Sequence, residues 1–156
     1  MALRSELNAA VPVAASGEFT PLRLGGTSGA SRAAALSVWP PVVLAPMAGV
    51  TNPPFRALCR RQGAGLYVAE MLHARGLCEQ NARTLKLASF GADETVRSIQ
   101  IFGSEPAEMQ DAARFLATEV GVHHIDINMG CPVRKVTARG GGPALPARPE
   151  LMRQVL

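Results

Sequence analysis

Four times along this 156-residue chain a short apolar run gives way to a helix-forming segment, and that alternation constrains the fold more than any other feature. Val42 to Ala45 is apolar without interruption, as a strand buried on both faces must be. A helix follows from Pro54 to Gln62. Asn52 or Thr51 caps it, Pro53 sits in the first turn, where a missing N–H does no harm, and Gly63 is its left-handed terminator. A second strand, Leu66 to Glu70, precedes a helix over about Cys78 to Ala88. The third strand, Arg97 to Phe102, leads to a helix capped by Ser104. Along it Met109, Ala112, Ala113, Leu116, Ala117 and Val120 recur at three-and-four spacing up to Gly121. The fourth strand, Val122 to Ile127, stops at Asn128, Gly130, Cys131 and Pro132. A glycine-rich link, Arg139 to Pro149, then precedes a last helix that begins near Glu150.

Such alternation implies parallel strands joined by right-handed crossovers, in an open doubly wound sheet or a (β/α)8 barrel. An open dinucleotide-binding sheet needs a glycine fingerprint after its first strand. That turn reads Ala45-Pro-Met-Ala-Gly-Val-Thr51, which lacks it. Barrels place their chemistry at the C-terminal ends of several strands. Here Pro46 to Gly49, Glu70, Gln100, and Asn128 with Cys131 stand at those ends. The expected fold is therefore α/β, a (β/α)8 TIM barrel of which residues 41–156 supply about the first four units. Residues 1–20 read as a disordered leader, small and polar without periodicity. Glu6 and Asn8 interrupt any secretory apolar core, and Glu6 and Glu18 count against a transit peptide. Residues 21–40 hold two short extended pieces around a Gly/Ser/Ala-rich link, fitting a hairpin across the floor of the domain.

Composition narrows the setting. No apolar run of about 18 residues exists, so no membrane span is expected. Three cysteines without CxxC spacing argue against a disulfide framework or a zinc site and for a reducing cytoplasm. His73, His123 and His124 lack metal-ligand spacing on one helix face, so no metal is expected. The net charge of +4 suits an acidic partner such as RNA, and equally a merely soluble surface.

A strand that ends in polar groups and a turn holds a reactive side chain on a rigid base while letting it face a ligand. Cys131 is in that position, and an ordinary thiol, titrating near 8.5, is mostly protonated at neutral pH and serves as a proton donor. Cys59 and Cys78, on helices, read as core or surface residues instead. Arg56, Arg60 and Arg61 read as the solvated face of an outer helix. Arg139-Gly-Gly-Gly-Pro143 lacks the lysine and hydroxyl of a phosphate loop and reads as a flexible connector.

Three segments together resemble the tRNA-dihydrouridine synthases: Ala45-Pro-Met-Ala-Gly-Val-Thr-Asn-Pro-Pro-Phe-Arg56, Gln100-Ile-Phe-Gly-Ser104 and Asp126-Ile-Asn-Met-Gly-Cys-Pro-Val-Arg-Lys-Val136. The resemblance runs over roughly residues 41–156, with the segments in the family's order and spacing. It implies a flavin-binding TIM barrel that reduces the C5–C6 bond of uridines in tRNA, with FMN recharged by NADPH. It also implies site roles. Pro46, Met47 and Ala48 lie against the flavin ring and Gln100 bonds its pyrimidine edge. Cys131 is the catalytic acid, Asn128 lies beside flavin and target base, and Lys135 helps position substrate or loop. Glu70 receives no role. The later strands and the helical tRNA-gripping domain of that family have no counterpart in these 156 residues. The chain then reads as a fragment, expected alone to bind FMN poorly, to be inactive, and to self-associate through open sheet edges and an exposed apolar inner face. Two other readings stand beside this one: a non-catalytic RNA-binding or interaction module, and a flavin barrel acting on a free pyrimidine, similar to dihydroorotate dehydrogenases.

Overall fold

A four-stranded parallel sheet in the order β3-β4-β5-β6 carries the molecule. The computed structural model describes residues 20–24 and 35–156. All but the last residue of the expected leader, 1–20, lies outside the described residues. Two short strands, β1 (Leu22–Leu24) and β2 (Leu36–Val38), pair antiparallel, with Leu22 opposite Val38 and Leu24 opposite Leu36. Then follow β3 (Val43–Leu44), α1 (Pro53–Arg60) and β4 (Leu66–His73). Next come α2 (Ala74–Cys78), α3 (Ala82–Leu87), β5 (Ser98–Phe102) and α4 (Pro106–Phe115), which runs on as a π-helical turn, Leu116–Val120. The rest is β6 (His124–Ile127), α5 (Arg134–Thr137), a 3₁₀ turn at Gly142–Ala144 and α6 (Pro149–Val155).

The helix-side face of the sheet is apolar. Ala69, Leu72, Ile99 and Ile101 are buried against Leu77, Met109, Ala112 and Leu116, with Ile125 and Ile127 packed at the margin. Each large side chain buried this way contributes about 1.5–3 kcal/mol relative to leaving it in water. At the N-terminal end of the other face, Val38 of the hairpin covers Leu66 and Val68. That end is closed. The hairpin runs so close that a Cβ on Gly65 would meet Pro40 O at 2.1 Å.

Strand β4 contains one extra residue. Ala69 stands opposite Ile99 and Leu72 opposite Ile101, so three steps on β4 match two on β5. Such a bulge re-aims the side chains next to it. Leu72 joins Ala69 in the helix-side core, while Glu70 and Met71 between them both reach site residues described below.

Several expectations are corrected. The second helix is two: Gln80 adopts a left-handed φ of 51°, and Asn81 starts α3 by accepting from the amides of Arg83 and Thr84. Ser104 caps nothing. Glu105 holds the cap position with Pro106 after it, and the Ser104 hydroxyl donates to Arg139 O at 2.5 Å. The glycine-rich link is no slack connector, since Gly140, Gly141 and Gly142 are all buried. Arg56 is not on a solvated face. It is 1% exposed and makes a two-pronged ion pair with buried Glu94, Nε to Oε2 at 2.8 Å and Nη2 to Oε1 at 2.9 Å. Nor is the inner face of β5 and β6 apolar, as the polar pairs described next make clear.

Candidate active site

Alternation along β5 and β6 sends Ile99, Ile101, Ile125 and Ile127 to the helices and leaves Ser98, Gln100, His124 and Asp126 on the opposite, inner face. Directly opposed residues there bond in pairs. Ser98 Oγ lies 2.8 Å from His124 Nδ1, and Gln100 Nε2 donates to Asp126 Oδ2 at 2.5 Å. Burial of its ring holds His124 below the usual histidine range, against the opposing pull of Asp126. One step toward the C-terminal ends, Asn128 continues the ladder through its backbone N–H to Ile101 O.

The Asn128 side chain connects strand to loop. Its Nδ2 donates to Gln100 Oε1 at 2.8 Å and touches Met71 Sδ at 3.6 Å, while its Oδ1 accepts from Cys131 N–H at 3.0 Å. An unbroken series of side-chain bonds thus runs from Asp126 through Gln100 and Asn128 to the Cys131 backbone. Cys131 itself is half-buried. Beneath its loop passes Gly142, whose φ is +58° and whose Cβ, if present, would lie 2.7 Å from Cys131 O. Only glycine fits there, on both steric and conformational grounds.

On the other side stands the turn after β3. The buried Thr51 hydroxyl accepts from Met47 N–H at 3.0 Å and donates to Met47 O at 3.1 Å. Glu70 Oε2 accepts from Gly49 N–H at 2.9 Å, tying the turn to the bulge in β4. Arg56 Nη1 donates to Thr51 O at 2.6 Å, so the buried ion pair braces the same turn from behind. Held at these points, the turn leaves the Met47 side chain open, 37% exposed. Such a surface can take a flat apolar group, with Gln100 and Asn128 as polar anchors beside it.

Of the residues singled out in the sequence, the structure joins Gln100, Asn128 and Cys131 directly by hydrogen bonds. It brings the Pro46–Ala48 turn to them through Glu70 and Met71. Lys135, exposed on α5, is not drawn into this network. Asp126 and Met71 were missed. The pattern His-Ile-Asp-Ile over residues 124–127, polar at every second position, was the available signal for Asp126. Met71 was hidden by the bulge. Among the described residues, no group of three His, Cys, Asp or Glu side chains could hold a metal ion, and no helix is long and apolar enough to cross a membrane. A groove of about 580 Å³ lies between α4, α6 and the helix side of β5 and β6, across the sheet from these polar pairs, and no titratable side chain lines it.

A sequence model of the family described as dihydrouridine synthase matches residues 43–156. A probable tRNA-dihydrouridine synthase of Mycobacterium tuberculosis is 50% identical over 123 residues, covering 74% of this chain and 32% of the relative. One from Mycobacterium leprae is 42% identical over 140 residues, 73% of this chain and 36% of the relative. The tRNA-dihydrouridine synthase B of Vibrio vulnificus is 43% identical over 115 residues, 74% and 35%. The chain spans about a third of the length of these relatives.

Proposed function

This chain belongs to the dihydrouridine synthase family, and from that premise we propose that it forms the proton-donating half of an FMN- and NADPH-dependent site that reduces the C5–C6 bond of uridine in tRNA. The four βα units are then the first half of a flavin-binding TIM barrel, working in the cytoplasm on tRNA.

The observation that carries this reading is the bonded series Gln100–Asn128–Cys131, set at the ends of adjacent parallel strands and facing the Met47 turn. The residues fit a flavin. The ring would rest on Pro46, Met47 and Ala48, where Met47 offers apolar surface on a turn braced by Thr51, Glu70 and Arg56. Gln100 uses one amide hydrogen on Asp126 and one lone pair on Asn128, which leaves one donor and one acceptor position for a pyrimidine edge. A flavin held by these residues, FMN recharged by NADPH, would supply a hydride to C6 of the uracil.

The protein's own part is the proton. Hydride arrival at C6 leaves an enolate that must be protonated at C5. The Cys131 thiol gives that proton, and the thiolate takes another from solvent. Asn128 fixes the Cys131 backbone through its Oδ1 and stands beside the base. Lys135, on the exposed first turns after the loop, meets the tRNA or steadies the loop. A uridine enters such a pocket only after leaving its stack in the folded tRNA.

The test uses the polypeptide that carries these residues, given FMN, NADPH and unmodified tRNA. Cys131→Ala is expected to lower turnover by at least about 10²-fold while flavin absorbance stays with the protein. Dihydrouridine formation at the original rate by Cys131→Ala would sink the assignment. Reduction of free uracil or orotate in place of tRNA would move it to the other pyrimidine-reducing flavin barrels.

A further inference from the structure

We propose that Asp126 is a positioning residue that sets the direction of the hydrogen-bond series ending at Cys131, and thereby fixes which atoms of Gln100 and Asn128 face the site. The proposal takes the roles just given to Gln100 and Cys131 as its premise.

An amide side chain has a donor end and an acceptor end of nearly the same shape, so two orientations compete in one space. An ionised carboxylate only accepts. Asp126 therefore obliges Gln100 to point Nε2 at it, at 2.5 Å. That puts Gln100 Oε1 on the Asn128 side, where it can only accept, and Asn128 answers with Nδ2 at 2.8 Å. Asn128 Oδ1 is then turned to the loop, where the Cys131 N–H, a pure donor, meets it at 3.0 Å. The series has an accept-only group at one end and a donate-only group at the other, and every link agrees in direction. Bonds aligned in this way also polarise one another.

Strand register makes the carboxylate an anchor. Asp126 stands directly opposite Gln100 in the parallel ladder, both on the inner face, with Ile125 and Ile127 locked in the helix-side core. Asp126 needs no contact with substrate or cofactor to act. Without it, Gln100 loses its preference between two orientations, Asn128 loses a fixed acceptor, and the Cys131 loop loses the tie that places the thiol.

The test is backbone hydrogen exchange in the full chain, read at single residues by NMR, and it requires neither flavin nor tRNA. In Asp126→Leu the Cys131 amide is expected to exchange about tenfold faster, with core amides such as Ile99 and Leu116 within about twofold of the original. In Gln100→Glu two carboxylates oppose each other, and the same local acceleration is expected. The double variant Gln100→Glu/Asp126→Asn rebuilds the direction. The amide now at position 126 donates to the carboxylate now at position 100, whose second oxygen still accepts from Asn128 Nδ2. Cys131 protection then returns to within about twofold of the original. If Asp126→Leu does not fold, Gln100→Glu and the double variant decide. Unchanged Cys131 exchange in the single variants, equal acceleration of Ile99 and Leu116, or no recovery in the double variant would each overturn the proposal. Loss of the proton-donor role would show instead as turnover by Cys131→Ala, so the two failures are distinguishable.

Discussion

Replacing Arg56 by methionine tests how the back of the site is held. The guanidinium makes four hydrogen bonds: two to Glu94, one to Thr51 O and one, at 3.0 Å, to Ser89 O. It also lies 5.1 Å from the centre of the Phe90 ring. Arg56→Met conserves much of the side-chain volume and removes all four bonds. Glu94 is left with the Gly91 N–H at 2.7 Å and with Arg60 Nη1, 3.5 Å from its Oε2. Breaking a buried ion pair from one side costs about 3–5 kcal/mol, because the surviving charge stays buried. Arg60 is close enough to compensate in part, which favours the lower end, about 3 kcal/mol. That is a large share of the roughly 5–15 kcal/mol that holds a domain together. With a urea m-value of about 1–3 kcal/mol/M, the unfolding midpoint should fall by about 1–3 M. The companion double variant, Arg56→Met/Glu94→Leu, removes both charges and should be more stable than Arg56→Met alone, giving a coupling energy of about 2 kcal/mol in the double-mutant cycle. The reasoning fails if Arg56→Met unfolds within about 1 kcal/mol of the original protein, or if the two substitutions simply add.

Other expectations follow from single contacts. Gly142→Ala should cost at least about 1–3 kcal/mol, since it forces a left-handed φ and a clash with Cys131 O, and should expose the Cys131 thiol to faster alkylation; peptide-resolved labelling checks this. Glu70→Ala should cost about 1.5 kcal/mol through the lost bond to Gly49 N–H and, on the proposed flavin reading, should weaken FMN binding without touching Cys131; fluorescence titration of FMN checks it. His73 and His124 are both held below the usual histidine value, chiefly by burial. The unfolded chain therefore binds more protons than the folded one below about pH 6.5, so stability present above that pH is lost on acidification through it, and His124→Gln should flatten the loss seen in urea unfolding across that range. Strands β3 and β6 are the sheet's edges among the described residues, and the 156-residue chain alone should self-associate in light scattering; a strictly monomeric chain would refute that.

What could be read from the sequence was local. Asn52 does cap α1, accepting from Phe55 N–H, and Gly63 and Gly121 do take left-handed φ values of 80° and 70°. A cap and its helix lie within a few residues, so the signal and its cause are neighbours in the chain. The ends of β5 and β6 were found the same way, from apolar runs stopping at polar residues, whereas β4 runs past the expected end at Glu70 to His73. Arg56 was misread because its partner lies 38 residues away, and nothing in Pro-Phe-Arg-Ala separates a buried arginine from a solvated one. Ser104 was misread because a hydroxyl before a helix looks like a cap until a distant carbonyl, here Arg139 O, takes its proton. The glycines of residues 140–142 suggested slackness, whereas their smallness serves close approach beneath the Cys131 loop.

The extra residue in β4 acts as a phase slip in a wave of period two. Before it, the strand delivers alternate side chains to alternate sides; after it, the whole sequence of deliveries is displaced by half a wavelength. Two consecutive positions, an anion at Glu70 and a thioether at Met71, are thereby handed to the same functional side, which an unslipped strand cannot do. The extra residue therefore serves the site and not the packed core. Deleting Glu70 or Met71 would restore regular alternation and leave Leu72 opposite Ile101 on the helix side, with one residue where two now reach the site. Leu72 and His73 would keep their partners Ile101 and Phe102, and the loss would fall on the tie to Gly49 N–H or on the thioether beside Asn128. A one-residue deletion at position 70 or 71 should spare the core and disturb the site, whereas a deletion elsewhere in the strand shifts the core register as well.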